Sequence, residues 1–141
     1  MKAELTKQLR RDEGEVLTVY DDSLGFATIG VGRLVDKRKG GGITADESAY
    51  LLSNDIDRRI IDLTARLPWL YLLDEARRGV LLNMAFQLGV DGLLGFTNTL
   101  EMVRKGDFGG ASKNMLLSLW AKQTPARANR LAKQMLTGAW Q

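Results

Sequence analysis

The chain of 141 residues contains no cysteine and no histidine. Without cysteine, neither a disulfide framework nor a thiolate metal site can form. Without histidine, the histidine-based triads and the commonest metal ligand are excluded. Proton transfer near neutral pH therefore falls to carboxylates, lysines or tyrosines. There are two prolines; Pro68 stops one helix and Pro125 stands at the first position of another. No apolar run approaches the length of a membrane span. The opening MKAELTKQLRRDE mixes charges throughout and does not read as a signal peptide. Synthesis in the cytoplasm is expected, with a separate route outward if the substrate lies beyond the inner membrane. What remains is ordinary for a globular protein, 45% apolar and 26% charged. The net charge of +3 favours polyanionic partners without choosing among nucleic acid, anionic membrane and bacterial wall.

The chain is expected to be α+β and mainly helical, a single domain over 1–141. Ala3 to Glu13 reads as a helix, with Leu5 and Leu9 one turn apart and Gly14 as a left-handed stop. Val16–Tyr20 and Phe26–Val35 carry strand formers around the turn DDSLG, with Gly30 and Gly32 as bends, so a ribbon of two or three antiparallel strands is predicted over about 14–43. Thr44 and Glu47 match a capping box. Behind them Ala49, Leu52, Ile56, Ile60 and Leu63 form an apolar stripe on a connecting helix, 44–66. Asp74 can cap a helix over 75–88 that is apolar on nearly every side apart from Asn83 and Gln87, hence central and packed all round. Gly89 closes it. Short helices follow around 91–95, 97–105 and 108–119. Thr124 reads as the cap of a last helix that buries Ala128, Leu131 and Met135 and ends near Gly138. The helical lobe, 67–141, is expected to pack with the N-terminal helix 3–13, leaving a ligand groove between the two lobes. Trp69, Trp120 and Trp140 read as packing residues.

Glu13 and Asp22 stand nine positions apart, on a helix end and in a hairpin turn, and Thr28 follows six further on. The negative end of the helix dipole opposes ionisation of Glu13 and favours a carboxyl that can donate a proton. Asp22 is a candidate base for a water, and the Thr28 hydroxyl can orient that water. Two carboxyls about 6.5–9.5 Å apart are the requirement of inverting glycosidases. The plainer readings are a solvated helix-end glutamate, a turn aspartate bonded to its own backbone, and a threonine placed for strand propensity. On residue type alone, Asp12 competes with Glu13 and Asp21 with Asp22. Asn83 and Gln87 share a helix face and suit the hydroxyl and N-acetyl groups of an amino sugar, or else structural pairing. Phe86 can offer an apolar sugar contact or belong to the core. Arg127, Arg130 and Gln134 share another face, either as a solvated stripe, as an attraction for anionic polymer, or with an arginine paired to Glu13. Gly30-Val31-Gly32 lacks the third glycine of a dinucleotide fingerprint.

The stretch DEG…YDDSLGFATIGVG resembles the active-site segment of the phage-type lysozymes, a family of muramidases. The likeness continues through RRGVLLNMAFQLGVDGLLGFTNTL and SLWAKQTPARANRLAKQMLTGAW, and covers nearly the whole chain. It implies a two-lobed fold and inverting hydrolysis of the β-1,4 bond between N-acetylmuramic acid and N-acetylglucosamine in peptidoglycan, as in endolysins that lyse bacteria. It also resolves Glu13 against Asp12 and Asp22 against Asp21. The resemblance implies Glu13 as general acid, Asp22 with Thr28 as handlers of the water, and Leu34, Phe86, Thr99 and Asn114 as glycan contacts. Arg127 matches the arginine that leans on the catalytic glutamate. No metal or organic cofactor is implied, and a monomer without stable membrane association or nucleic-acid partner is expected.

Three departures accompany the likeness. Arg33 stands where the family often has histidine, and an Arg33–Asp55 ion pair is the expected replacement. The segment between ribbon and long helix is shorter than in T-even members, and the chain stops soon after Trp140. Competing readings are a lytic transglycosylase, which needs only one acid/base, a wall-binding module that no longer cuts, and a basic helical nucleic-acid binder. The presence of Asp22 and Thr28 beside Glu13 favours hydrolysis.

Overall fold

A left-handed glycine ends the first helix. In the computed structural model, which describes residues 2–141 and every side chain among them except that of Leu5, helix α1 (Lys2–Glu13) stops where Gly14, at φ +76°, donates its N–H to the Arg10 carbonyl at 3.0 Å. The expected pairing of Leu5 with Leu9 lies outside the described residues. The chain divides into two units, the first ending at Leu51 and the second spanning Leu52–Gln141. As expected, the fold is α+β, with a small antiparallel sheet near the N-terminus and a helical remainder.

The first unit holds strands β1 (Val16–Asp21), β2 (Ala27–Gly30) and β3 (Arg33–Leu34), in that order across the sheet. Tyr20 faces Thr28 on one side, and Thr28 faces Leu34 on the other. The register of β1 against β2 shifts between Val16 and Tyr20, so the ladder is irregular there. The basic segment after the sheet folds into a single 3-10 turn, Lys37–Lys39, capped by Asp36. The Gly42 N–H then bonds back to the Leu34 carbonyl at 3.0 Å, which returns the chain to β3.

Helix α2 (Ala45–Arg66) starts on the expected box. The Thr44 hydroxyl accepts the Glu47 N–H at 3.2 Å, and Glu47 Oε2 accepts the Thr44 N–H at 2.8 Å. The stripe behind it is less buried than its periodicity suggests. Leu63 is fully buried, whereas Leu52 and Ile56 stay 49% and 41% exposed. Periodicity identifies side chains that share a face; it does not supply what covers that face.

The second unit is helical: α3 (Glu75–Leu94), α4 (Thr97–Arg104), α5 (Phe108–Leu116), α6 (Leu119–Gln123) and α7 (Pro125–Thr137). Asp74 caps α3 by accepting the Arg77 N–H at 2.9 Å. Gly89, at φ 76° and ψ 163°, breaks α3 at the expected place, although a short helical segment resumes beyond it. Val80, Leu81, Met84 and Ala85 are fully buried, so α3 is the central helix. Truncating Leu81 to alanine costs about 2–5 kcal/mol at such a site. Ala128, Leu131 and Met135 bring α7 onto the same core. Among the described residues, no single helix is long and apolar enough to cross a membrane.

Three local expectations are corrected. Thr124 does not cap α7 through its side chain, because its hydroxyl donates to the Trp120 carbonyl at 3.0 Å and closes α6 instead. Gln134 is buried rather than solvated. Its amide donates to the Ala76 carbonyl at 2.7 Å and ties α7 to α3. Trp120 is buried, but Trp140 is 66% exposed and rests on Gly79, where a methyl group would collide with the indole.

Candidate active site

In the first unit, Glu13 is the last residue of α1 and is exposed. Its carboxylate lies against the second ribbon glycine: a Cβ on Gly32 would stand 3.1 Å from Glu13 Oε2. Gly32 sits at φ +66°, a conformation that favours glycine.

Asp22 opens the β1–β2 turn and is half-buried. One carboxylate oxygen, Oδ1, accepts the Leu24 and Phe26 N–H groups at 2.9 and 2.8 Å. The backbone bonding typical of a turn aspartate is thus made, and it consumes one oxygen. Among the described residues of the unit, Oδ2 has no hydrogen-bond partner. Thr28 is 2% exposed, and its hydroxyl donates to the Phe26 carbonyl at 2.9 Å. With its proton committed, the Thr28 oxygen can act only as an acceptor. Leu34 faces Thr28 from β3. The rivals are occupied or peripheral: Asp12 is bonded to Arg11 at 2.7 Å, and Asp21 is exposed at the strand end. Among the described residues of its own unit, Glu13 makes no ion pair.

The expected Arg33–Asp55 pair is corrected. Arg33 Nη1 donates to Glu47 Oε2 at 2.7 Å, and Asp55 lies 3.9 Å from Arg58. The return of the chain at Gly42 puts the start of α2 beside β3, whereas Asp55 is two turns further along, about 12 Å at the helical rise. The Thr44 N–H, with the Arg33 guanidinium adding to it, holds the Glu47 carboxyl below the usual glutamate range against an opposing desolvation.

The candidate side chains of the second unit fall into three bonded pairs. Arg127 donates from Nε and Nη2 to Asn83 Oδ1 at 2.9 and 2.6 Å, and from Nη2 to the Asn83 carbonyl at 3.1 Å. Trp120 Nε1 donates to Gln87 Oε1 at 2.8 Å. Thr99 donates to Asn114 Oδ1 at 2.7 Å. Each amide oxygen is thus held by a donor, which orients the amide, and among the described residues each NH2 is left without an acceptor. Thr99 is 1% exposed, so Asn114 presents the polar group while Thr99 orients it. Asn114, Thr99, Phe96 and Ser118 line one cavity of about 450 Å³. Asn83, Phe86 and Arg127 line another of about 320 Å³, walled mostly by apolar side chains. Phe86 is 42% exposed, which frees it from the core. Among the described residues, no group of three or more acidic side chains is arranged to hold a metal ion.

The phage lysozyme family model matches residues 10–136. The chain belongs to the phage lysozyme family. It is 30% identical to a probable T4-type lysozyme of Dictyostelium discoideum, over 98% of this chain and 96% of that protein. It is 33% identical to the endolysin of Salmonella phage P22, over 82% of this chain and 79% of that protein. The pre-baseplate central spike protein Gp5 of Enterobacteria phage T4 is 33% identical over 95% of this chain, which corresponds to 28% of the spike protein's length. Family membership makes this chain a lysozyme, an enzyme that hydrolyses peptidoglycan. Every candidate residue, from Glu13 to Arg127, lies inside the family match.

Two residues of this lysozyme escape a reading by motif. Arg59 lines the same apolar cavity as Phe86. Its signal was positional: it falls three residues after Ile56 and four before Leu63, on the apolar stripe of α2. Trp140 also lines that cavity, and nothing in its sequence context distinguishes it from a packing tryptophan.

Proposed function

We propose that the enzyme cleaves the β-1,4 bond between N-acetylmuramic acid and N-acetylglucosamine with inversion at the anomeric carbon. The observation that carries this reading is the division of labour around Asp22 and Thr28. One Asp22 oxygen is held by two backbone N–H groups and the other has no partner among the described residues, while the Phe26 carbonyl accepts both the Asp22 N–H and the Thr28 hydroxyl, leaving Thr28 an oxygen that can only accept. A water placed there gives one hydrogen to Thr28 Oγ1 and the other to the carboxylate. Its lone pair is then aimed at the sugar carbon. As the new C–O bond forms, Asp22 takes the water's proton. Glu13 gives its proton to the departing glycosidic oxygen as that bond breaks. An inverting reaction needs room for this water between the two carboxyls.

The free NH2 groups of Asn83, Gln87 and Asn114 suit sugar hydroxyl and acetamido oxygens, and the exposed Phe86 ring suits an apolar sugar face. In this reading Leu34 and Arg127 also serve the glycan or its catalytic acid. Similarity to the P22 endolysin and the T4-type lysozymes supports a wall-opening role for the enzyme, which is taken to work as a monomer.

The test is turbidity clearing of isolated sacculi by wild type and Glu13→Gln. The substitution is expected to abolish clearing with the melting transition retained, and full activity would remove Glu13 as the acid. Products with reducing ends and an inverted anomer by NMR are expected. Anhydromuramic ends would mean transglycosylation instead.

A further inference from the structure

The cavity of about 320 Å³ in the second unit is lined by Leu52, Ile56, Leu82, Phe86 and Trp140 with Arg59, Arg127, Asn83 and Gly79. Its lining carries two guanidinium groups and no carboxylate. Arg127 is committed to Asn83 through Nε and Nη2. Arg59 is not committed. Its Nε–H is buried and has no acceptor among the described residues, and no carboxylate among them pairs with it. The guanidinium carbon stands 5.9 Å from the centroid of the Phe86 ring, at the outer limit of cation–π contact. A buried donor left without an acceptor is costly. Arg59 shares its helix stripe with Leu52 and Ile56, which are 49% and 41% exposed, and is itself only half-buried, so its guanidinium is open to a partner from the cavity.

We propose that Arg59, with Phe86 beside it, is a subsite for a carboxylate of the short acidic peptide that branches from the wall glycan. This inference rests on the proposed muramidase reading and names the part of the substrate the cavity would hold. The occupant must combine an anionic group for Arg59 with small apolar parts for the leucine, isoleucine and tryptophan walls. A peptide of alanines and acidic residues has that combination. The volume is at the small end of ligand sites, which suits a few small residues better than a long acyl chain. The site is continuous with the glycan-facing candidates, because Asn83 and Phe86 belong to both. Arg59 is thus a specificity residue: it senses what hangs from the sugar and takes no part in bond cleavage. A planar guanidinium can grip a carboxylate through two parallel N–H bonds, which lysine cannot do.

The experiment is calorimetric titration of the soluble tetrapeptide stem into wild type, Arg59→Gln and Arg59→Lys, with melting curves confirming that each variant folds. It reads binding alone, so its outcome is independent of which glycosidic bond is cut and of the inverting step. Arg59→Gln is expected to weaken binding at least fivefold, and Arg59→Lys to weaken it less. A stem peptide with amidated carboxylates should bind wild type as weakly as the unmodified peptide binds Arg59→Gln. Equal affinity for wild type and Arg59→Gln overturns the proposal, as does a loss that persists in full with the amidated peptide. Peptide-free glycan retains the lactyl carboxylate of the muramic acid. If it displaces the stem peptide from wild type but not from Arg59→Gln, the source is the lactyl group and the stem-peptide assignment falls.

Discussion

Gly32 leaves the space that the Glu13 carboxylate occupies. A Cβ there would approach Oε2 to 3.1 Å, and the backbone is at φ +66°. Gly32→Ala therefore incurs a left-handed alanine, roughly 1–2 kcal/mol, and crowds the proposed acid. A drop in melting temperature of a few degrees is expected, with a larger loss in clearing rate, tenfold or more. Activity that follows stability alone would show that the approach has no bearing on the chemistry.

Thr99 and Asn114 separate binding from stability. Thr99→Val removes the hydroxyl that fixes the Asn114 amide while keeping the buried shape. The expected result is a KM raised several-fold, kcat within about twofold and an unchanged or slightly higher melting temperature. Replacing both partners of a hydrogen bond, or leaving the remaining one hydrated, costs little. Steady-state kinetics on soluble glycan oligomers, with melting curves, check this.

Arg77 joins the start of α3 to the end of α7. It donates to the Met135 and Leu136 carbonyls at 2.7 and 3.0 Å and to Asp74 at 2.9 Å, and its guanidinium lies 3.8 Å from the centre of the Phe108 ring. Arg77→Ala leaves two helix-end carbonyls without their charged donor and is expected to destabilise by at least about 1.5–3 kcal/mol. Denaturant unfolding measures this, with wall clearing at low temperature as the control for an intact site.

Arg33 is bonded to Glu47 within the first unit, and double-mutant cycles distinguish this partner from Asp55. A double-mutant cycle of Arg33→Ala and Glu47→Ala should give a coupling that shrinks with added salt, since both side chains are partly exposed. The Arg33→Ala/Asp55→Ala cycle should be additive within error. Non-additivity in the second cycle alone would reverse the assignment.

Acid should loosen two surface clusters. Arg38 beside Asp36, and Arg104 with Lys105 beside Glu101, hold these carboxyls at about 2, against ordinary values of 3.8 and 4.5. Groups whose folded value is lowered stabilise the fold above the unfolded value and lose that contribution as pH falls through the folded one. Melting temperature should therefore decline between about pH 4.5 and 2. Glu101→Gln should flatten part of that slope, and an unchanged slope would mean that this cluster contributes nothing to the fold.

Much of the fold is legible in particular residues. Gly14, Gly89 and Gly138 end or break helices where left-handed backbone or a break is needed, and the Thr44–Glu47 box opens α2 through bonds that span three residues. The apolar run Gly79–Leu88 identifies the central helix because a helix greasy on every side must be surrounded. Arg33 was misassigned because its partner depends on the return of the chain at Gly42, which no periodicity records. Thr124 stands between the last carbonyls of α6, to which its hydroxyl can donate, and the first N–H groups of α7, from which it can accept; it donates to Trp120, a choice that residue type does not settle. Trp140 and Leu52 are more exposed than an apolar stripe and a packing tryptophan suggest, because apolar character tells which groups avoid water and leaves their cover unspecified.

The order of helices and strands, the glycine stops and the presence of a carboxylate–carboxylate–threonine set were determined by the sequence alone, because local backbone preferences and residue chemistry act over a few positions. Tertiary structure decided which oxygen of Asp22 stays uncommitted and how closely Glu13 meets Gly32. It also decided that the buried Nε–H of Arg59 meets no acceptor among the described residues. The Asp22 bonds reach only two and four residues along the chain and depend on the exact shape of the turn, whereas the Glu13–Gly32 approach and the surroundings of Arg59 bring together groups far apart in the chain, and only the packed fold sets such distances.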